Sequence, residues 1–216
     1  QGKPYVIRFH SLGDHTKYIK VHDLIRGDLN LSQNDQDIVI MKSDGLPTYH
    51  FAHAIDDHLM RSTHIVRGDE WISSAPIHLQ LFEVLGFKAP KYAHISPIMK
   101  EENGGKRKLS KRKDPELSLD FYLKDGYHPM AMKVYLLTLL NSNFEEWYEK
   151  FPDKDIKEFP FSVEKMSQSG ALFDKDKLHN ICKNELAKLS EEEIKNYVAG
   201  REWVGCSGYK IEGELA

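Results

Sequence analysis

The chain has 216 residues, enough for one large domain or two small ones with a buried core. Its 40% hydrophobic and 29% charged residues are typical of a globular protein, and no apolar run reaches the roughly eighteen residues of a transmembrane helix. The net charge of −3 excludes a global attraction to nucleic acid, so any RNA contact must come from a local basic patch.

Residues 1–36 have the pattern of an edge segment of a sheet. Tyr5–Phe9 alternates as a strand does, and Gly13 and Gly27 lie among polar residues that favour hairpin turns. Residues 37–42 form a short apolar run bounded by charges, which predicts a buried strand.

Two amphipathic helices are predicted next. Phe51, Ile55 and Leu59 recur at helical spacing and predict the buried face of the first helix. The second helix should begin at a capping serine of Ser73-Ser74, with Pro76 in its first turn, and end at Gly86. Its predicted buried face consists of Ile77, Leu81, Val84 and Leu85.

Strands are predicted at Thr63–Val66 and Tyr92–Met99, on either side of the second helix. Strand–helix–strand–helix–strand with short connections indicates an α/β fold with a parallel sheet. Ligands of such sheets bind at the carboxyl ends of the strands. We therefore expect the segments 43–47, 67–71 and 100–114, each following a strand, to share one rim.

Beyond Pro115 the pattern becomes helical, and the boundary between the two parts is expected near 114–120. Helices are predicted at 117–123, 130–141, 163–167, 174–185 and 191–198.

The segment Lys108–Lys113 is a short basic loop behind Gly104-Gly105, which we interpret as a hinge. Ammonium groups on a mobile backbone can close over a polyphosphate and follow its charge in the transition state. The alternative is a solvated surface or a nucleic-acid patch, the more usual meaning of a Lys/Arg run.

Two further groups carry chemistry-bearing side chains. Tyr49 and His53 share a helix face and could hydrogen-bond a small polar ligand, although a half-buried tyrosine with a satisfied histidine is the simpler interpretation. Arg67, at a strand end, suits a substrate carboxylate, while Glu70 could bind ribose hydroxyls and Trp71 could flank a base. An exposed turn with an Arg–Asp ion pair is the alternative.

No metal site is predicted. Asp56 and Asp57 precede His58, but adjacent carboxylates on a helix diverge by about 100°, so structural hydrogen bonding is preferred. Cys182 and Cys206 are far apart and outside any CxxC pair, which argues against zinc and favours a reducing, cytoplasmic location.

Together these segments resemble the glutamyl-tRNA synthetases of bacterial and organellar type, which are class I aminoacyl-tRNA synthetases. The basic loop is similar to their KMSKS signature. The order and spacing of residues agree over four stretches, Lys42–His50, Asp56–Met60, Thr63–Gly68 and Lys108–Arg112. The resemblance as a whole covers about residues 4 to 190.

The resemblance implies roles for individual residues. Tyr49 and Arg67 would contact glutamate, with His53 beside them. The implied ATP site consists of Glu70, Trp71, the backbone of Ile98, and Lys108, Leu109, Ser110, Lys111 and Arg112. Lys108 and Lys111 would be catalytic, stabilising the triphosphate while glutamyl-adenylate forms. Mg²⁺ would arrive with ATP, without dedicated protein ligands.

The resemblance also implies an organisation. Residues 1–36 would end the acceptor-binding insertion, 37–116 would be the second half of the Rossmann-like nucleotide-binding domain, 117–200 the helical stem-contact region, and 201–216 a tail without assignment. His10-Ser11-Leu12-Gly13 is no HIGH-type motif, and nothing matches an anticodon-binding domain. We therefore expect a fragment that is inactive alone, from a monomeric enzyme that binds tRNA and no membrane.

Three alternatives remain open. A glutaminyl-tRNA synthetase is the nearest, although the segments 56–60 and 63–68 read as glutamyl. A shortened paralogue that glutamylates a modified tRNA base is another, against which residues 145–190 argue. The third is a module that docks RNA through the basic loop without catalysis.

Overall fold

The computed structural model describes residues 3–199, which divide into two compact units. The first unit takes the chain up to Ser96 together with Ser162–Ser169; the second takes Pro97–Phe161 and the chain from Gly170 onward. The tail predicted at 201–216 lies outside the described residues. Between residues 3 and 199, no helix combines the length and apolar character needed to cross a bilayer.

A four-stranded sheet organises the first unit. Its strands are β2 (Tyr18–Asp23), β3 (Gly27–Ser32), β5 (His64–Gly68) and β6 (Lys91–Ile95), in the order β3-β2-β6-β5. Strands β5 and β6 run parallel, which confirms the predicted α/β sheet. Strands β2 and β3 form an antiparallel hairpin, and Gly27 supports it with a φ of +73° that most side chains avoid.

The two predicted helices are present as α1 (Tyr49–Leu59) and α2 (Ala75–Val84). Gly86 follows α2 with a φ of +70°, as predicted for its end. The predicted cap is wrong, because the Ser74 side chain makes no capping hydrogen bond.

The predicted helix faces are partly wrong. Leu59 is 71% exposed and Val84 is 61% exposed. Helix α1 buries His53 and Ala54 instead, and Ala54 packs with Leu81 and Phe82 in the core. Helix α1 therefore faces the core with His53, whose ring has hydrogen-bond partners there, and leaves Leu59 exposed, although the helical spacing predicted Leu59 to be buried.

The strand predicted at 37–42 forms as β4 (Val39–Met41), but it pairs antiparallel with β1 (Ile7–Arg8) and lies outside the parallel sheet. Gly13 makes no hairpin turn. It packs so closely on the Asn34 backbone that a β-carbon there would overlap the Asn34 carbonyl.

A β-hairpin lies before the basic loop in the second unit. It joins β7 (Met99–Glu102) to β8 (Gly105–Lys108) through Asn103 and Gly104, whose φ values are +52° and +76°. Gly104-Gly105 is thus part of a tight turn rather than a hinge. The strand predicted over Tyr92–Met99 ends at Ile95, ahead of Pro97, which has no N–H for a ladder.

Helices make up the rest of the second unit. They are α3 (Leu119–Lys124), α4 (Pro129–Leu140), α5 (Phe144–Lys150), α6 (Lys175–Leu186) and α7 (Glu191–Ala199). The prediction missed α5, while the helix predicted at 163–167 is only a 3₁₀ turn, Val163–Lys165, in the first unit. Tyr122, Ala131, Tyr135 and Leu178 anchor the main core of these helices.

Candidate functional site

Four of the predicted site residues lie together in the first unit. The Tyr49 ring lies 4.5 Å from the Trp71 ring and 5.9 Å from the His53 ring, between centroids. The Arg67 guanidinium lies 5.9 Å from the centre of the Trp71 ring and 4.7 Å from that of Tyr92. Helix α1, the end of β5 and the 3₁₀ helix Asp69–Ser74 thus contribute to one cluster.

Arg67 is buried, and three of its N–H groups already have partners. Nε donates to His94 Nε2 at 3.0 Å, Nη1 to His78 Nδ1 at 3.0 Å, and Nη2 to the Trp71 carbonyl at 3.3 Å. Burial lowers the pKa of Arg67, while the nearby Tyr92 and Tyr49 rings oppose that shift. Arg67 also hydrogen-bonds to the Tyr49 side chain. A guanidinium has five N–H donors, so donor capacity remains for a ligand beside Tyr49, and the group stays charged. The alternative of an exposed Arg–Asp pair is wrong, since Asp69 pairs with Arg26 instead.

These contacts fix the protonation of two buried histidines. Arginine can only donate, so His78 Nδ1 accepts and its Nε2 carries the proton donated to His50 Nδ1 at 2.9 Å. By the same argument His94 Nε2 accepts, and its Nδ1–H points to Asp23 Oδ2 at 2.6 Å. Burial lowers the pKa of His78 to about 2 and also lowers the pKa of His94. Both rings are therefore neutral at physiological pH.

Asp23 closes this hydrogen-bonded chain in the core of the unit. Its carboxylate accepts the backbone N–H groups of Ile25, Arg26 and His94 in addition to the His94 ring. Burial works to raise the pKa of Asp23, but these hydrogen bonds outweigh it and the pKa is lowered. Asp23 is thus an ionised, fully satisfied anchor.

His53 is held by two partners. Its Nδ1 lies 2.6 Å from Asp57 Oδ2, and its Nε2 lies 3.0 Å from the Tyr92 hydroxyl. Burial lowers the pKa of His53, against the opposing influence of Asp57. The neutral ring thus donates to Asp57 and accepts from Tyr92, whose own pKa burial raises. The predicted structural role of Asp57 is confirmed.

Glu70 lies in the 3₁₀ helix that follows β5, one residue before Trp71. Its carboxylate folds back over Gly68, where a β-carbon on that glycine would overlap it. The closeness of Glu70 to the backbone depends on the missing side chain at Gly68.

The basic loop lies in the second unit, where β8 leads into it. Lys108, Lys111, Arg112 and Lys113 are exposed, whereas Leu109 is buried and its N–H donates to the Ile98 carbonyl at 3.0 Å. The loop thus presents cations from a backbone that is anchored at Leu109. The carbonyl of Ile98, a predicted ATP-binding position, is occupied by that hydrogen bond.

Asp114 fastens the far end of the loop. The side chain is 3% exposed; it accepts the Ser110 N–H at 2.7 Å and two bonds from Arg107, at 2.7 and 2.8 Å. These hydrogen bonds lower the pKa of Asp114, and those from Arg107 have the largest effect. No role was predicted for Asp114 from the sequence, so this anchor was missed.

Sequence analysis also missed Asp23, His78, Tyr92 and His94. A lone histidine or aspartate in an apolar segment carries no local signal, and Asp23 and His94 are 71 residues apart. Their pairing becomes visible only when β2 and β6 lie side by side. Within residues 3–199 there is no group of three or more His, Cys, Asp or Glu that could hold a metal ion.

Comparison with known proteins shows the family of the chain. A profile described as "tRNA synthetases class I (E and Q), catalytic domain" matches residues 1–180. The chain is 57% identical over 194 residues to the glutamate–tRNA ligase of Acetivibrio thermocellus and 52% identical over 196 residues to that of Clostridium beijerinckii. These matches cover 90% and 91% of this chain but 36% and 35% of the relatives, so the chain spans about a third of their length.

Solved structures give the same result. The glutamate–tRNA synthetase of Elizabethkingia anophelis matches with a TM-score of 0.74 and 34% identity, over 91% of this chain and 42% of that one. A glutamate–tRNA ligase of Elizabethkingia meningosepticum, solved in complex with its amino acid, matches with a TM-score of 0.71 at 34% identity, over the same shares of both chains. The predicted family and fold class are confirmed.

Proposed function

Because the chain belongs to the catalytic-domain family of the class I tRNA synthetases for glutamate and glutamine, we propose that the protein containing it is a glutamate–tRNA ligase. The observation that carries the proposal is the buried Arg67 guanidinium, whose remaining N–H groups suit a carboxylate and whose surroundings are aromatic. Tyr49 and Arg67 bind glutamate in this proposal, and His53 lies beside them.

The proposed reaction has two steps. An oxygen of the glutamate α-carboxylate attacks the α-phosphorus of ATP, so that a P–O bond forms and pyrophosphate leaves. A ribose hydroxyl at the 3′ end of tRNA then attacks the activated carbonyl of glutamyl-adenylate and releases AMP. Lys108 and Lys111 stabilise the negative charge that develops in the first step.

The remaining ATP contacts follow from the family resemblance. Glu70, Trp71 and the backbone at Ile98 take the nucleoside, while Leu109, Ser110 and Arg112 complete the loop around the phosphates. Mg²⁺ enters as part of the ATP substrate. Residues 1–36 and 117–200 are assigned to the acceptor end and the stem of tRNA, and 37–116 to the nucleotide-binding half.

The test is glutamate-dependent ATP–pyrophosphate exchange, with tRNA present, by the protein expressed from the complete reading frame that holds these residues. Arg67→Lys keeps the positive charge but loses the fork of donors, so we expect the KM for glutamate to rise at least about tenfold. The KM for ATP should change little. Arg61→Lys, at an exposed position in the turn that follows α1, is the matched control. Absence of glutamate-dependent exchange in the unaltered protein would refute the proposal.

A further inference from the structure

Arg67 is a buried cation without a direct anionic partner. Buried charges in proteins are usually paired with an opposite charge. Among residues 3–199, no carboxylate is in hydrogen-bonding or ion-pair contact with this guanidinium; its partners are the neutral rings of His78 and His94, the Trp71 carbonyl and the Tyr49 side chain. Most of its donors thus have neutral partners, while its charge is not cancelled.

Aromatic rings separate Asp23 and Asp57 from Arg67, one ring in the case of Asp23 and two in the case of Asp57. Asp23 reaches Arg67 only through the His94 imidazole, whose two nitrogens bond to the aspartate and to the arginine. Asp57 bonds to His53, which in turn bonds to Tyr92, the ring beneath the guanidinium. Both carboxylates orient a ring without touching the arginine.

The Arg67 partners are also rigid. His78 is fully buried on α2, and its second nitrogen is tied to His50 on α1. His94 is 1% exposed on β6 and tied to Asp23 on β2. The guanidinium plane is therefore set from both sides by acceptors that cannot rotate away.

We propose that His78 and His94 are specificity-determining positioning residues, whose neutral acceptors aim Arg67 and reserve its charge for the side-chain carboxylate of the substrate. A carboxamide in the same place would leave the cation without an anion, so glutamine is rejected. This inference rests on the proposed function, and it adds to it the two residues that hold the arginine in place.

A matched pair of variants separates charge from shape. Glutamine and glutamate have the same length and both accept a hydrogen bond, but only His78→Glu puts a carboxylate against Arg67. We expect the KM for glutamate in ATP–pyrophosphate exchange to be at least about tenfold higher in His78→Glu than in His78→Gln, with kcat altered far less. The preference for glutamate over glutamine should fall by a similar factor. His58→Glu and His58→Gln, on an exposed ring that stacks on Phe87, should not differ from one another.

A second pair guards against a folding defect at position 78. The double variant Asp23→Asn/His94→Glu moves the carboxylate one ring closer to Arg67 without altering net charge, and Asp23→Asn/His94→Gln is its neutral match. Thermal unfolding shows which of the two pairs is folded, and the glutamate KM is compared within that pair.

The outcomes distinguish the two claims. An unaltered protein without glutamate-dependent exchange would end the proposed function, and this inference with it. An active unaltered protein whose Glu and Gln variants share the same glutamate KM and the same glutamine discrimination would overturn this inference alone.

Discussion

Gly68 shows how one missing β-carbon can place a functional carboxylate. The residue has an ordinary φ of −64°, so its backbone does not require glycine. What requires it is the Glu70 side chain, which occupies the space of the absent methyl group. The glycine therefore serves the neighbouring side chain rather than the fold.

We expect Gly68→Ala to impair ATP use while the protein remains folded. The atoms displaced are the end of a flexible side chain, so the free energy of unfolding should change by less than about 1 kcal/mol. Moving the Glu70 carboxylate should raise the KM for ATP several-fold and leave the KM for glutamate nearly unchanged. Steady-state exchange kinetics and urea unfolding measure the two effects.

Gly86→Ala provides the opposite control. Gly86 has a φ of +70° with no atom near the new methyl group, so alanine there is strained without touching the site. It should lower stability by about 1–2 kcal/mol and leave both KM values unchanged. An ATP effect as large as that of Gly68→Ala would show that the KM change reflects general destabilisation.

At the scale of elements, the sequence predicted which helices and strands form better than it predicted which of their faces are buried. Helices α1 and α2 and strands β5 and β6 were predicted because turn residues and the spacing of apolar residues agreed there. The buried face of α1 was not predicted correctly, because the helical spacing identifies only apolar residues. It gives no sign that Tyr92 and Asp57 hydrogen-bond to His53 and allow that histidine to be buried. Arg67, Tyr49 and His53 could be identified as candidates, but His78 and His94, which hydrogen-bond to Arg67, could not.

The hairpin before the basic loop was missed although its signal was present. Asn103-Gly104 is the dipeptide preferred in two-residue turns with positive φ, and the structure uses it in that way. The basic loop is consequently short, starting at the end of β8 and ending at Asp114. Asp114 accepts hydrogen bonds from both Ser110 and Arg107, and these bonds determine the shape of the loop.

We expect Asp114→Asn to loosen the loop without unfolding the helices that follow. The amide oxygen can still accept from Ser110 and from one Arg107 nitrogen, but the amide nitrogen cannot accept the second Arg107 bond, and the negative charge is lost. Trypsin cleavage after Lys111, Arg112 and Lys113 should become at least about threefold faster, because local opening controls access to the backbone. Asp125→Asn, which removes an exposed ion-pair partner of Lys175, should leave cleavage unchanged. Equal rates in the two variants would rule out the anchoring role of Asp114.

At the scale of the whole molecule, buried histidines make stability sensitive to mild acid. Burial lowers the pKa values of His50, His53, His78 and His94 from the ordinary 6.5. Below pH 6.5 the unfolded chain therefore binds more protons than the folded one, so stability rises with pH through this range. The lowered pKa values of Asp23 and Asp114 act in a different window, since their contribution is lost only below about pH 4.

His78 should carry a measurable share of that sensitivity, because its folded-state pKa of about 2 keeps it neutral throughout the window. Its contribution is at most about 1.4 kcal/mol for each pH unit below 6.5. Hydrogen exchange of the β5 and β6 amides, corrected for intrinsic rates, should show protection falling between pH 7.5 and 5.5. His78→Gln removes one titrating group, so the slope should flatten by up to that amount, whereas His58→Gln on the exposed face should preserve it. A slope in His78→Gln as steep as in the unaltered protein would mean that His78 takes no part, and that acid acts on the fold elsewhere.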